Sequence, residues 1–350
     1  STMCNEEGGI VDDVTVYKFD DEHFMIVTSS GPRLKSYRWI SDHASGSSAY
    51  VTDVSAAVAL PVVQGPRSRE YLKTVVDGVD LDALRFFRFA PCRIGEVELL
   101  ISRSGYTGEL GYELYTPADQ ASVLWEHLLG TGREFNLKPY GVAAMQSLRI
   151  EKAFPLYGPD IDESRTPFHV GLGRWIRFDK RDFIGREALL RTRYRGLDRR
   201  WVGLTLEGET PAGAGDAVYA VADVATSREI LETGPEAGDY EDELMLAEGQ
   251  IGRVTSSAMG PSVGKVLAMA YVDTNHSWPG NTLIVETNGR PVPARIAHTP
   301  FFDPENARLR AEPPDDRRPT PRAAAPASAA AQRTNARTEV PVGHSADGNP

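Results

Sequence analysis

A mixed α+β layer followed by an all-β domain is the architecture that three observations predict for this 350-residue chain. Strand-like and helix-like patterns alternate up to about residue 180, as they do where strands and helices share one layered core. From "RRWVGLTLEG" onward the pattern changes to short alternating runs broken by Gly, Pro and Asn turns. The end of the chain, rich in Pro, Ala and Arg, has almost nothing to bury. With 41% hydrophobic residues, the chain is long enough for two packed domains.

Each element has its own signal. "IVDDVTVYKF" alternates, "DDE" supplies a turn, and "HFMIVTSS" continues as a second strand, so the chain opens on an antiparallel hairpin. "GPRSREYLKTVV" and "ADQASVLWEHLLGTG" read as amphipathic helices; in the second, Leu124 and Leu128 share a face and Gly130 is the stop. "VELLISRS" and "GYELYT" read as strands. "GVAAMQSLRIEKAF" places Val142, Ala144, Met145 and Leu148 on one helical stripe before Pro155, and a further helix starts near Arg186. The all-β part runs from about 199 to 308, and "TNGR" is its clearest hairpin. The expected division is therefore 1–198, 199–310 and a disordered 311–350, with an acidic insert at 211–248.

Composition excludes several classes. No apolar run reaches the ~18 residues of a membrane span and no signal segment opens the chain, so a cytoplasmic protein is expected. A net charge of −11 argues against a nucleic-acid partner. Cys4 and Cys92 are too few and too far apart for a zinc site or disulfide framework, and the His residues show no ligand spacing, so no metal is expected. Charge is unevenly spread: residues 174–200 carry ten Lys/Arg against four Asp/Glu. That stretch reads as a solvated face or as a local field for an anionic ligand.

Three features can carry chemistry. Asp12 and Asp13 are neighbours on a strand, so at most one faces a pocket. Glu113 and Tyr115 share the strand face opposite to Tyr112 and Leu114, and Gly105, Gly108 and Gly111 permit tight turns and close backbone approach. A carboxylate there suits a ligand offering two adjacent N–H donors, such as the amino-pyrimidinone edge of a pterin; an exposed strand glutamate is the alternative. Arg149 and Glu151, two apart on a helix, do not face each other, and one is expected to reach inward. "GLGRW" lacks the third glycine of a dinucleotide fingerprint, and "GPSVGKV" has the wrong spacing for a P-loop.

Taken together and in order, "CNEEGGIVDDVTVY", "VVQGPRSREYL", "SGYTGELGYELY", "SLRIEKAFPLYGPDIDESRTPFHVGLG", "DFIGREAL" and "GRVTSSAMGPSVGKVLAMAYVD" resemble the aminomethyltransferase family, the T-protein of glycine cleavage and its folate-dependent relatives. The resemblance covers about residues 3 to 308. It implies a split ferredoxin-like folate-binding domain, here lacking its N-terminal part, followed by a β-barrel. It also implies tetrahydrofolate as cofactor, Asp13 as the catalytic aspartate, Glu113 as the pterin-binding glutamate, and Tyr106, Tyr112 and Arg149 as further cofactor-binding residues.

The implied reaction moves a one-carbon unit to tetrahydrofolate from a small methylated amine, ether or thioether, or from a lipoyl carrier protein. Met145 stands where the family has an arginine and Ser29 where it often has an asparagine, variants closer to the sarcosine and dimethylglycine dehydrogenase folate domains and to folate-dependent demethylases. A flavoprotein dehydrogenase partner or domain is the second reading. The third is a folate-binding iron–sulfur assembly factor, whose cysteine motif "RDFIGRE" lacks.

Overall fold

The computed structural model describes residues 1–221 and 249–312. Most of the acidic insert, and all but two residues of the stretch expected to be disordered, lie outside the described residues. In chain order the elements are β1 (Thr2–Cys4), β2 (Ile10–Asp13), β3 (Thr15–Lys18), β4 (Phe24–Val27), α1 (Arg33–Ala44), β5 (Val58–Ala59), β6 (Val62–Gln64), α2 (Ser68–Leu72), β7 (Val76–Asp77), β8 (Phe89–Ile94), β9 (Val97–Ser102), β10 (Gly111–Pro117), α3 (Ala121–Thr131), α4 (Val142–Glu151) and α5 (Arg186–Arg195). The second part comprises β11 (Arg199–Leu206), β12 (Ala217–Ala220), β13 (Gln250–Gly260), β14 (Lys265–Asp273), β15 (Thr282–Thr287) and β16 (Arg290–Ala297). The α+β-then-all-β order expected from the sequence is the order observed.

In the first part, β10, β9, β8 and β7 lie side by side, with β5 and β6 on the far edge of β10. Alternation puts Tyr112 and Leu114 of β10 on the face that buries Leu124 and Leu128 of α3 and Tyr71 and Leu72 of α2. The other face carries Glu113 and Tyr115 and is met by Tyr17 of β3, whose ring stands edge-on to Tyr115 and to Phe89.

Three local expectations change. The opening run is two strands rather than one: β2 pairs with β1 and β3 pairs with β4, because Val14 leaves the ladder and exchanges backbone hydrogen bonds with Ser1. The segment after Gly65 forms only the five-residue α2 before Val76 joins β7. In α4 the predicted apolar stripe is not the buried one: Val142 is 70% exposed, whereas Arg149, Ile150 and Glu151 are buried.

The second part is a closed six-stranded barrel, β11-β14-β13-β12-β15-β16. Alternate residues of each strand, among them Leu204, Val254, Ala268, Val285 and Ile296, fill its interior. Asn288 and Gly289, both at positive φ, make the predicted "TNGR" turn between β15 and β16. One strand, β12, lies within the segment read as an insert, because "AVYA" is needed to pair β13 with β15.

Three polar side chains at the end of α4 join the two parts. Arg149 pairs with Asp160 and donates from Nη2 to Ser256 Oγ of β13 at 2.8 Å. Asp160 Oδ1 in turn accepts from Ser256 and Thr255. Glu151 Oε1 accepts the backbone N–H groups of Ser262 and Val263 at 2.6 and 3.1 Å, which holds the β13–β14 turn. Lys152 donates to the carbonyl of Asp303 at 2.6 Å and to its carboxylate at 2.9 Å. From there the chain returns over the first part. Arg308 pairs with Glu109 at 2.7 Å, and the carbonyl of Ala311 accepts from Arg69 and Arg103 at 2.6 and 2.7 Å. Ser1–Glu312 is accordingly one unit.

Removing one member of a buried pair strands the other charge, a loss of about 3–5 kcal/mol. Asp160→Ala is expected to lower the unfolding free energy by that amount in chemical denaturation. The double replacement of Arg149 by Met and Asp160 by Leu recovers part of it, since no buried charge is left; an undiminished loss in the double variant would count against the pair as the source.

Candidate active site

The two aspartates of β2 have opposite surroundings. Asp12 is fully buried and used as an anchor: Oδ1 accepts the N–H of Asp13 at 2.8 Å, while Oδ2 accepts the N–H of Ser29 at 3.1 Å and the hydroxyl of Ser36 at 2.7 Å. It therefore fixes β2 to the start of α1, a helix without an apolar stripe whose single buried residue is Ser36. Asp13 turns the other way, onto the rim of a recess of about 680 Å³ lined by Trp39, His43, Leu172, Trp175 and Lys180 among others. Loss of hydration in the recess raises its carboxyl pKa; the Ser1 ammonium at 3.9 Å opposes this and Asp12 adds to it. Water still reaches 43% of the side chain, so the recess is open to solvent rather than sealed.

Glu113 stands on the open face of β10 inside a ring of hydroxyls. Its Oε2 accepts from Ser104 at 2.6 Å and from Tyr115 at 2.9 Å, and Tyr17 lies 3.2 Å away. A hydroxyl has one proton, and Tyr17 also lies 2.9 Å from the Tyr115 oxygen and 3.1 Å from that of Ser102, so it buttresses the ring. Burial raises the hydroxyl pKa of both tyrosines, and the Glu113 charge raises them further. They stay protonated donors. Glu113 Oε1 has no partner among the described residues and is left as the acceptor that faces outward.

The other expected residues fall into two groups. Tyr106 stacks on Phe154, donates to the carbonyl of Pro155 at 2.6 Å, and has its hydroxyl pKa raised by burial. The charges of Arg149, Asp160 and Asp13 also act on that hydroxyl. Tyr112 lies on the core face, away from Glu113, and accepts from Arg69 Nε at 3.1 Å. Arg149 is also turned away: Gln146, Phe154, Asp160 and Ser256 take its donors. One of Arg149 and Glu151 was expected to reach inward; both are buried.

The glycines of "SGYTGELGYELY" serve protein packing. A Cβ on Gly105 or Gly111 would stand 2.1 Å from the Gln64 amide oxygen, and one on Gly108, at φ +76°, would meet the Lys152 stem at 2.8 Å. Glu109 is paired with Arg308. Met145 lines an apolar groove of about 270 Å³ with Val62, Trp125, Leu137 and Tyr140. Sequence reasoning missed Ser104, Tyr17 and Tyr115 as partners of Glu113, although all three lie in the stretches that carry the resemblance. It also missed Asp160 in "YGPDID".

Residues 1–180 match the family model of the GCVT N-terminal domain, and residues 199–303 that of the glycine cleavage T-protein C-terminal barrel domain. An aminomethyltransferase of Thermoanaerobacter sp. (strain X514) is 34% identical over 301 residues, 86% of this chain and 74% of that protein. One from Streptomyces coelicolor is 35% identical over 305 residues, again 86% of this chain and 75% of its own length. Among solved structures, the glycine cleavage system aminomethyltransferase T from Bartonella henselae superposes with a TM-score of 0.72 at 27% identity, over 87% of this chain and 75% of that one.

A carboxyl whose pKa is raised by folding destabilises the fold once it ionises; that cost is absent below the unfolded value and complete above the folded one. Asp13→Asn is therefore expected to raise the melting temperature at neutral pH, with the gain shrinking as pH falls toward the ordinary value of 3.8. A gain that is the same across that range would not come from the Asp13 charge.

Proposed function

The chain belongs to the glycine cleavage T-protein family, and we propose that it transfers a one-carbon unit to tetrahydrofolate with Glu113 holding the folate head group and Asp13 beside the reacting atoms. The aminomethyltransferases of this family use tetrahydrofolate as the one-carbon acceptor, and folate-dependent aminomethyl transfer is the enzymatic activity that follows from membership. The observation that carries the residue assignment is the unequal state of the two Glu113 oxygens. With Oε2 fixed by Ser104 and Tyr115, and Oε1 free among the described residues, the carboxylate is held ready for a ligand N–H. This fits the donor-rich edge of a pterin.

Bound tetrahydrofolate supplies the nitrogen that accepts the carbon. The work left to the chain is positioning and charge. Tyr106, fixed by Phe154 and Pro155, is assigned as an aromatic wall of the site. Asp13, held in place through the Asp12–backbone contact, presents a negative charge where positive charge grows as the donor bond breaks. A group already oriented stabilises that charge without reorganisation, and its partial desolvation strengthens the effect. Tyr112 and Arg149 act from behind this surface, through the core and the domain seam, rather than on the cofactor.

For the donor, the relatives favour the transferase over the flavoprotein reading. We take an aminomethyl-lipoyl carrier protein as the first candidate. Small methylated amines, ethers and thioethers are the second, on the strength of Met145 and Ser29. No helix among the described residues is long and apolar enough to cross a membrane.

Glu113→Gln is expected to weaken tetrahydrofolate binding about ten- to a hundredfold in calorimetry, the worth of one charge-assisted hydrogen bond. Asp13→Asn should leave that binding within a few-fold and cut single-turnover transfer on the order of 100-fold. Unaltered turnover in Asp13→Asn would remove that residue from the chemistry. Transfer assays with a lipoyl carrier protein and with methylated amines, run in parallel and read by mass of the folate product, identify the donor.

A further inference from the structure

The basic stretch 174–200 has a counterpart in the fold that one-carbon transfer leaves unused. Where the first part meets the barrel, a cavity of about 550 Å³ opens between the Phe168–Gly171 turn, the end of α5, and residues of β11 and β16. Arg193, Arg200, His169 and His298 line it, and no carboxylate does so among the described residues, in a chain whose net charge is −11. Two acids lie nearby without lining it. Asp198 stands 3.6 Å from His169 Nε2 with most of its side chain in water, and Asp273 pairs with the neighbouring Arg199 at 3.0 Å.

Arg200 is the unusual member. Its guanidinium lies over the ring of Trp278 at 5.1 Å, and its Nε is shut off from solvent with no hydrogen-bond acceptor among the described residues. Burial keeps the His169 pKa below its usual value, so that ring stays neutral and the positive charge facing the cavity comes from the arginines. Trp278, 54% exposed, together with Trp201, Phe168 and Pro279, supplies flat apolar wall. Arginine on an aromatic face is a recurrent setting for planar anions.

We propose that this cavity binds a small organic anion, its carboxylate or phosphate held by Arg200 and Arg193 and its planar or apolar body laid against Trp278. The site is separate from Glu113 and Asp13, and the inference does not rest on their assigned roles.

The test titrates the intact chain with phenyl phosphate, benzoate, inorganic phosphate and benzyl alcohol, followed by calorimetry and tryptophan fluorescence. Saturable binding of phenyl phosphate or benzoate is expected, with a fluorescence change that Trp278→Phe removes; the tighter of the two identifies the head group. Arg200→Gln should weaken binding at least tenfold, and so should Arg193→Gln, which alters an exposed side chain and leaves the fold intact. Arg290→Gln, at the distant β15–β16 tip, should leave it unchanged. Equal affinity for benzyl alcohol, equal affinity for inorganic phosphate, no saturable binding, or no loss in both arginine variants would each overturn the proposal.

Discussion

The architecture depends on a buried charge pair that neither part of the chain could hold alone. Arg149 comes from the first part, and the acceptors around it come from the 154–160 loop and from β13 of the barrel. Without the barrel, Ser256 and Thr255 would be missing and Asp160 would lose two of its donors. A pair of this kind adds little net stability against an apolar replacement of the same size, because both charges have been taken from water. Its effect is geometric. It allows one register of α4 against β13, and the carbonyls of Phe154 and Pro155 that follow α4 then set the Tyr106 ring.

The site is built outward from that seam by hydroxyl and backbone groups rather than by further ion pairs. Asp12 spends its charge on two N–H groups and one hydroxyl, an arrangement that holds β2, Ser29 and α1 together. Glu113 spends half of its acceptor capacity on Ser104 and Tyr115, and Tyr17 brings the β3–β4 hairpin over the open face of β10 to support them. Asp13 is thus carried by a strand that Asp12 ties to α1, and Glu113 by a strand beside which hydroxyls hold one of its oxygens. These hydrogen bonds give the surface its rigidity.

What could be read from the sequence follows from which signals are local. The barrel strands, the Asn288–Gly289 turn and the opposition of Tyr112 to Glu113 on β10 depend on period-two alternation and turn chemistry, and all three are present as expected. Helix α1 was not read at all, since it buries only a serine and offers no stripe to find. The α4 stripe was read on the wrong face, because periodicity cannot anticipate that a neighbouring domain will bury Arg149 and Glu151 ahead of Val142. The roles proposed for Tyr106, Glu113 and Asp13 come from the resemblance to a family. The donors around Glu113 lie on strands far apart in sequence, and only the fold brings them together.

The return of the chain after β16 bears on how this protein is made. Lys152, Glu109, Arg69 and Arg103 belong to the first part, yet their partners are Asp303, Arg308 and the carbonyl of Ala311. On the ribosome those four charges emerge long before the residues that answer them. The part before β11 therefore completes its packing only once the residues up to Ala311 have been made, so within these residues the earlier part is finished after the barrel.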